Sequence, residues 1–593
     1  MKRIEMKVNH IKRGSENYIA DYLLTLGIKP ENISSFINEP IDADKDNPFA
    51  LQNMDAAVKV AYEELSKPNA HMFVQVDSDT DGYTSSAVLI NYVKRNFPHV
   101  KVSCALHPGK EHGIVPSKVE DDVNIVFIPD AGSNNYEEQK ELIARGKKLI
   151  ILDHHEVLNY EDTGAILVNN QFSPSFDNKN LSGVGVVYMF IKAMDARYFA
   201  EGISDDFLDL TAIGIIADAM NMTSVGNNYI AYHGLQNIKN KFIQQLAIKQ
   251  SRGIKNPSCL TKTDVAFYIA PVINGVIRSG APEDKLIVFR ALVDENSTDM
   301  FETTYRGETR SETLYEYAVR MASNAKSRQD SAKKKSFEWL CGEIRTKGLD
   351  KDNLIIVTLD AKQSLKVSAN VTGLIAMELV KEFNKPCLVL RETEYEGKTM
   401  FGGSGRNGNF YGLPSLLDFL LESKLVEYVG GHHNAFGVFI LPENVQRLRD
   451  YANKTLNPQI FDDKVFEVDY WFHTGEKIDK DMLFDFAACG DIWGNGLPRP
   501  IFAFDFNFTP ADIQVMGAAG DSVKIKHDGV DFVMFKSAET VKKLLELKNG
   551  HVQIVGSPSL NEWMGRRNIQ IMIDDLEVEG ITATPIRSVV DLI

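Results

Sequence analysis

Three short apolar runs in the first third of the chain each end on an aspartate. Residues 72–76 lead into Asp77, residues 124–128 into Pro129-Asp130-Ala131-Gly132, and residues 148–152 into Asp153-His154-His155. Helix-like segments lie between them, so strand and helix alternate, the signature of a mostly parallel, doubly wound sheet. In such open sheets ligands bind beyond the carboxyl ends of the strands. The three acidic ends should therefore converge on one crevice. A further apolar segment, 210–217, leads into Asp218.

The first acidic end is the densest. In VDSDTDGYTS at 76–85, Asp77, Asp79 and Asp81 stand in an i, i+2, i+4 row. Carboxylates crowded in this way repel one another unless a cation sits among them, and a hard, oxygen-seeking divalent metal suits the place. An acidic strand-to-helix turn, with Asp as cap and Gly82 as hinge, accounts for the same residues. Asp130, Asp153 with its histidine pair, and Asp218, each closing an apolar run, shift the balance to a dinuclear metal site. Imidazole and carboxylate together suit Mn²⁺, Mg²⁺ or Zn²⁺, and oxygen-dominated ligation favours Mn²⁺ or Mg²⁺.

Composition bounds the rest. A chain of 593 residues exceeds one core and suggests about three to five domains. Five dispersed cysteines with no CxxC pair argue against a disulfide framework and for a reducing, cytoplasmic setting. The basic N-terminus has no apolar stretch behind it, and no apolar run reaches membrane-spanning length, so neither a secretory nor a membrane segment is expected. The net charge of −16 weighs against a polyanionic partner, but weakly, because bound metal inverts the local field.

The order of motifs carries a resemblance. DSDTDG at 77–82, PDAG at 129–132, LDHH at 152–155 and IIADA at 215–219 resemble the four signature motifs of the DHH phosphoesterase superfamily. LSGVGVVYMF at 181–190 and APVINGVIRSG at 270–280 are similar to segments of the RecJ single-strand exonucleases, the second supplying Asn274 and Arg278. The resemblance covers roughly residues 20 to 580. It implies an α/β fold of two modules, a DHH-type doubly wound parallel sheet and a DHHA1-type module, joined by a long helical connector and followed by an OB-like β-barrel. The expected boundaries are a helical segment at 1–70, the DHH domain at 71–282, the connector at 283–345, the substrate-binding domain at 346–458 and the OB-like domain at 459–593.

Residues downstream support that outline. Residues 354–359 and 387–390 read as buried strands. Gly402-Gly403-Ser404-Gly405-Arg406 reads as a glycine-rich loop, and GGHHNAFG at 430–437 brings Gly430, Gly431 and His432. Clustered glycines let backbone N–H groups approach an anion, and Arg406 and His432 add donors. By the resemblance, this module holds the DNA backbone across a cleft from the metals. VKIKHDGVDFVMF at 523–535 reads as a hairpin turning at Asp528-Gly529, with two more strands at 552–578 around Trp563, Arg566 and Arg567. Five or so such strands suit a barrel that binds single strands through aromatic and basic residues.

The resemblance also implies a division of labour. Asp79 and Asp81 would each favour one metal, Asp130 would bridge the two, and His154 and Asp218 would complete the second site. Asp77 would add a carboxylate, and Asp153 would orient an adjacent imidazole. His155 would then meet the scissile phosphate or the leaving oxygen while Asn274 and Arg278 grip phosphate oxygens. The implied activity is hydrolysis of single-stranded DNA from the 5′ end with two Mn²⁺ ions, Mg²⁺ being the alternative, by a monomer that has a single-strand binding protein or a helicase as candidate partners. A short-oligonucleotide or cyclic-dinucleotide phosphodiesterase and a catalytically lapsed DNA-binding scaffold are the competing functions. One segment departs from the family: HPGKEHGI at 107–114 stands where an arginine and a tyrosine-glycine pair are expected, leaving Lys110 and His112 as the phosphate-binding groups.

Overall fold

The apolar runs become the centre of a five-stranded, all-parallel sheet. Its strands are β1 (His71–Val76), β2 (Lys101–Leu106), β3 (Ile125–Pro129), β4 (Lys148–Asp153) and β5 (Ile166–Asn169), in the order β2-β1-β3-β4-β5. The computed structural model describes residues 4–8, 15, 17–41, 46–109, 111–305, 307–395, 397–408, 410, 412–461, 464–490, 492–563 and 566–582. β1 and β3 are buried along their whole length, as strands covered on both faces must be. Phe73, Val126, Ile128, Leu149, Ile151 and Leu167 share one core cluster on this sheet. Edge strand β2 is half-exposed and mixed in polarity, which is why it is hard to see in the sequence.

Helices α1 (Thr80–Asn96), α2 (Gly183–Tyr198), α3 (Leu208–Ala217) and α4 (Ala270–Ser279) complete the setting of the crevice. The sheet and these helices belong to a compact unit of Ile28–Ala332 together with Asp491–Leu497. A second unit comprises Met1–Gly27, Lys333–Gly490 and Pro498–Ile593. No helix among the described residues is long and apolar enough to cross a membrane.

Two expectations of local structure need correction. The segment 1–70 is not only helical: Ile4–Val8 is a strand paired in parallel with Lys464–Val468. Alternating Ile4, Met6 and Val8 is a strand period, but the partner lies far along the chain. Within 283–345, expected to be a helical connector, a hairpin of Met300–Tyr305 and Glu308–Thr313 precedes the long helix α5 (Leu314–Lys347).

Among the described residues, the second unit contains two sheets besides the pair of Ile4–Val8 and Lys464–Val468. In the first, β6 (Ile355–Leu359), β7 (Cys387–Tyr395), β8 (Lys398–Arg406), β9 (Tyr428–His432) and β10 (Ala435–Ile440) run in the order β9-β10-β8-β7-β6. The expected glycine-rich loop at 402–406 is therefore a strand, and 430–437 is the turn end of a hairpin. The glycines are there because neighbours occupy their side-chain space. A Cβ on Gly402 would come within 2.4 Å of the Phe439 ring, one on Gly405 within 2.3 Å of Phe436, and one on Gly403 within 2.1 Å of the Val389 carbonyl oxygen.

Among the described residues the C-terminal region holds seven strands where five or so were expected: β11 (Tyr470–Phe472), β12 (Phe502–Phe508), β13 (Ile513–Met516), β14 (Ser522–His527), β15 (Val530–Met534), β16 (Leu547–Trp563) and β17 (Arg566–Thr582). They form one sheet in the order β11-β12-β16-β17-β15-β14-β13. The expected hairpin is β14–β15, and Asp528 and Gly529 take φ of 45° and 72°, the pair of left-handed residues that a tight two-residue turn requires. Trp563 and Arg566 face each other in register at the β16–β17 turn; their side chains lie outside the described part, while Arg567 is exposed and paired with Glu562 at 2.6 Å.

Candidate metal centre

Asp77 directly follows β1, and Asp79 caps α1, its Oδ1 accepting the Gly82 N–H at 3.0 Å. The cap and the metal-ligand readings of Asp79 are thus compatible, because the second oxygen is left over. Gly82 is no hinge. It sits inside the helix, where a Cβ would stand 2.6 Å from Asp77 Cβ, so its role is to let the two acidic turns approach.

Asp81, in the first turn of α1, reaches the start of α2. Its Oδ1 accepts the Ser182 hydroxyl at 3.0 Å and the Val184 N–H at 3.2 Å, and its Oδ2 accepts the Gly183 N–H at 2.7 Å. A carboxylate from another element thereby caps α2 and meets the positive end of its dipole. Oδ2, which accepts only the Gly183 N–H, retains a lone pair for a further partner.

Asp130 follows β3 with φ of 65°, a left-handed conformation that costs a non-glycine residue on the order of 1 kcal/mol and is characteristic of functional sites. Its N–H donates to the Leu152 carbonyl at 2.8 Å, which ties it to β4. Gly183 presses against it from α2; a Cβ there would lie 2.4 Å from Asp130 Oδ1. Gly214 of α3 stands in the same relation to Asp81, with 2.6 Å to its Oδ1. Neither glycine figures among the candidate residues read from the sequence; their only signal is a small residue in a helix beside an acidic motif.

The two histidines have different surroundings. His154 has a side chain only 10% exposed, with Nε2 3.2 Å from Asp130 Oδ1 and 3.6 Å from Asp218 Oδ2. Burial holds its pKa below the usual value, against the pull of Asp81 and Asp153, which favours the neutral ring that a metal needs. His155 is more than half-exposed, and its Nδ1 lies 2.8 Å from Asp153 Oδ1. That hydrogen bond pushes His155 up to about 9. Burial would raise Asp153, but the hydrogen bond and charge of His155 outweigh it and hold the carboxyl well below its ordinary range. Ser133 N–H at 3.0 Å and His154 N–H at 2.8 Å complete the cradle around Asp153.

The donor set fits a divalent cation. Ligand atoms of Asp77, Asp79 and Asp130 lie within 4.8 Å of one another, as do those of Asp81, His154 and Asp218. Asp77 Oδ1 and Asp130 Oδ1 are buried and accept no hydrogen bond. Burial first, and then the neighbouring carboxylates, raise Asp79, raise Asp130 strongly and push Asp218 up to about 8. Carboxylates in this state relieve their repulsion either by taking up protons or by sharing metal ions.

The other candidate residues fall in both units. Asn274 Oδ1 accepts the Thr80 N–H at 3.1 Å, which sets it against the start of α1, and Arg278 follows one turn later on the same face of α4. His112 Nδ1 binds Asp77 Oδ2 at 2.7 Å, and this hydrogen bond raises its pKa. Lys110 lies outside the described residues. In the second unit, Ser404 Oγ is 3.0 Å from Thr372 Oγ1, and Arg406 lies beside Gly373, in the first turn of α6 (Thr372–Phe383), where a Cβ would meet its Nη2 at 2.5 Å. A guanidinium at a helix N-terminus adds to the positive end of the dipole, so the two favour an anion at the same place. His432 is exposed at the end of β9, next to Gly431 with φ of 134°.

Comparison with known proteins agrees with this geometry. Residues 71–215 match the DHH family N-terminal domain, and residues 474–575 match the RecJ OB domain. A prophage-derived protein of Bacillus subtilis strain 168, named as a single-strand DNA-specific exonuclease, is 32% identical over 535 residues, covering 89% of this chain and 91% of the relative. The single-stranded-DNA-specific exonuclease RecJ of the same strain is 26% identical, covering 94% of this chain and 68% of that protein. The crystal structure of RecJ from Thermus thermophilus in complex with Mn²⁺ superposes with a TM-score of 0.70 at 18% identity, covering 98% of this chain and 80% of that one.

Proposed function

Since the chain belongs to the RecJ family of DHH-type single-strand DNA exonucleases, we propose that it hydrolyses single-stranded DNA from the 5′ end, releasing mononucleotides, with two divalent ions, Mn²⁺ or Mg²⁺. The observation that carries the reading is the paired donor set, Asp77-Asp79-Asp130 and Asp81-His154-Asp218, gathered at the ends of β1, β3, β4 and α3. Asp130 belongs to the first group and lies within reach of His154 in the second, which supports a bridging role. Ions held there supply charge neutralisation for the phosphoryl group and acidify water at neutral pH.

The chain's own residues do the rest. Attack of water on phosphorus forms one P–O bond and breaks the bond to the 3′ oxygen of the terminal nucleotide. His155, kept protonated by Asp153, is the group suited to give that oxygen its proton. Arg278 and Asn274 grip non-bridging oxygens, and removing one such contact costs on the order of 3 kcal/mol in the transition state. Ser404, Arg406 and His432, with the α6 N-terminus, bind a backbone phosphate, and the C-terminal sheet carries the strand.

The test is Mn²⁺-dependent release of mononucleotides from single-stranded DNA labelled at either end, with Asp130→Ala beside wild type. Release of the 5′ label that disappears in the variant is the expected result. Strand binding without release would identify a scaffold, and cleavage of di- and trinucleotides alone would identify a short-oligonucleotide phosphodiesterase.

A further inference from the structure

Residues 492–497 fall inside the stretch that matches the RecJ OB domain, yet they pack with the unit that carries the metal centre. Their contact is the loop that follows α3. Asp218 ends that helix, and the chain turns away through paired bonds, Ala219 N–H to the Ile216 carbonyl and Met220 N–H to the Ile215 carbonyl, each 3.1 Å. Such a turn usually places glycine where Ala219 stands. Ala219 has φ of 53°, and the Cβ makes that conformation costly by about 1 kcal/mol.

Asn495 grips this turn from outside. Its Nδ2 donates to the Ala219 carbonyl, and its own carbonyl accepts the Met222 N–H at 2.8 Å. Gly494 and Leu497 exchange backbone hydrogen bonds at 2.9 and 3.0 Å, so Asn495 and Gly496 form the tip of a closed turn. The fit is tight: a Cβ on Gly496 would stand 2.0 Å from Asn221 Oδ1. Lys262, itself buried, anchors the segment by donating to the Ile492 carbonyl at 3.1 Å. Asp218 needs such support, because its side chain is 30% exposed against 2% for Asp130.

We propose that Asn495 is a positioning residue for the metal centre: its side-chain amide holds the strained Ala219 turn, and so keeps the Asp218 carboxylate where it shares a cation with His154. The proposal rests on the reading of Asp218 as a metal ligand. It makes a residue from the strand-binding region part of the support of the catalytic metals.

The experiment measures Mn²⁺ affinity by calorimetry and melting temperature in EDTA, on the full chain, for wild type, Asn495→Ala, Asp218→Asn and the double variant Asn495→Ala/Ala219→Gly. Loss of a residue that orients a ligand weakens metal affinity about 10- to 100-fold. Asn495→Ala should show that loss with its melting temperature in EDTA nearly unchanged, and Ala219→Gly should restore part of the affinity, since glycine holds the turn without strain. Wild-type affinity in Asn495→Ala, with Asp218→Asn weakened, overturns the proposal and leaves the ligand set standing. Wild-type affinity in Asp218→Asn overturns the ligand assignment and the proposal with it. A loss in Asn495→Ala that follows a lowered melting temperature and is not restored by glycine marks a structural role only, and also overturns it.

Discussion

Replacing Gly183 by alanine adds one methyl group at the most crowded point of the metal centre. Its Cβ would lie 2.4 Å from both Cβ and Oδ1 of Asp130, whereas real Cβ atoms essentially never approach another atom within 3.0 Å. More than half an ångström must therefore be found. Asp130 cannot absorb it cheaply, because its backbone is already left-handed and tied to Leu152. If α2 moves instead, the 2.7 Å bond from Gly183 N–H to Asp81 stretches. Either way a ligand carboxylate shifts by a sizeable fraction of an ångström, and a displacement of about 1 Å at a reacting centre costs roughly a hundredfold in rate. Stability should change little, since alanine is favoured over glycine in a helix by roughly 0.5–1 kcal/mol, which offsets part of the clash. The assay is nucleotide release at saturating Mn²⁺, with thermal melting in EDTA alongside. Gly185→Ala is the control: it lies on the same helix, but its Cβ would meet the flexible Leu181 side chain at 2.9 Å. Turnover of Gly183→Ala within twofold of wild type, or an equal loss in both variants, would refute the reasoning.

Three further outcomes follow from the same structure. In Asp153→Asn, His155 loses the charged acceptor that holds it at about 9, so its titration, followed by NMR in EDTA, should fall towards about 6.5; the stabilising ion pair, present below that value in wild type and lost as pH rises through about 9, should be absent. Asp469 is pushed by burial up to about 6, against the Ile501 N–H that donates to it at 2.7 Å, so the folded state binds an extra proton between about pH 4 and 6 and loses stability as pH rises through that window. Asp469→Asn should lack this loss and gain on the order of 2 kcal/mol relative to wild type between about pH 4 and 7 in denaturant titrations; a pH-independent difference would contradict it. Mn²⁺ at about a hundred times its Kd should stabilise the chain against unfolding by about 2.7 kcal/mol, an increment that chelation or Asp130→Ala removes.

The centre of the fold was legible because fully covered parallel strands are continuous apolar runs, and their aspartate ends mark the crevice. The same runs pointed to one acidic crevice, whereas the assignment of its residues to two ions came from the resemblance. Edge strand β2, with Lys101 and Ser103 among its residues, carries no such run and needed the structure. Glycine was the harder letter to read. Gly402, Gly403 and Gly405 looked like a loop but lie in a strand whose neighbours fill their side-chain space, while Gly183 and Gly214, which decide how closely the carboxylates approach, sit in helices where nothing local distinguishes them. His112, read from the sequence as a phosphate-binding group, also binds Asp77, a contact that the sequence did not show. Asn495 lies in a stretch that reads only as a connection between short strands, since its partners are Ala219 and Met222, far away in sequence.

The pairing of Ile4–Val8 with Lys464–Val468 has a consequence for how the protein is made. A ribosome adds about 5–20 residues each second, so the first strand waits on the order of a minute for its partner to be synthesised. Meanwhile the whole of Ile28–Ala332 emerges and can collapse around its own parallel sheet. Throughout that interval the nascent chain trails an unpaired strand whose backbone is open to any other edge it meets. Lys2, Lys7 and the neighbouring Arg3 give that waiting segment a positive charge, which discourages pairing between nascent chains on one messenger until the rightful strand arrives.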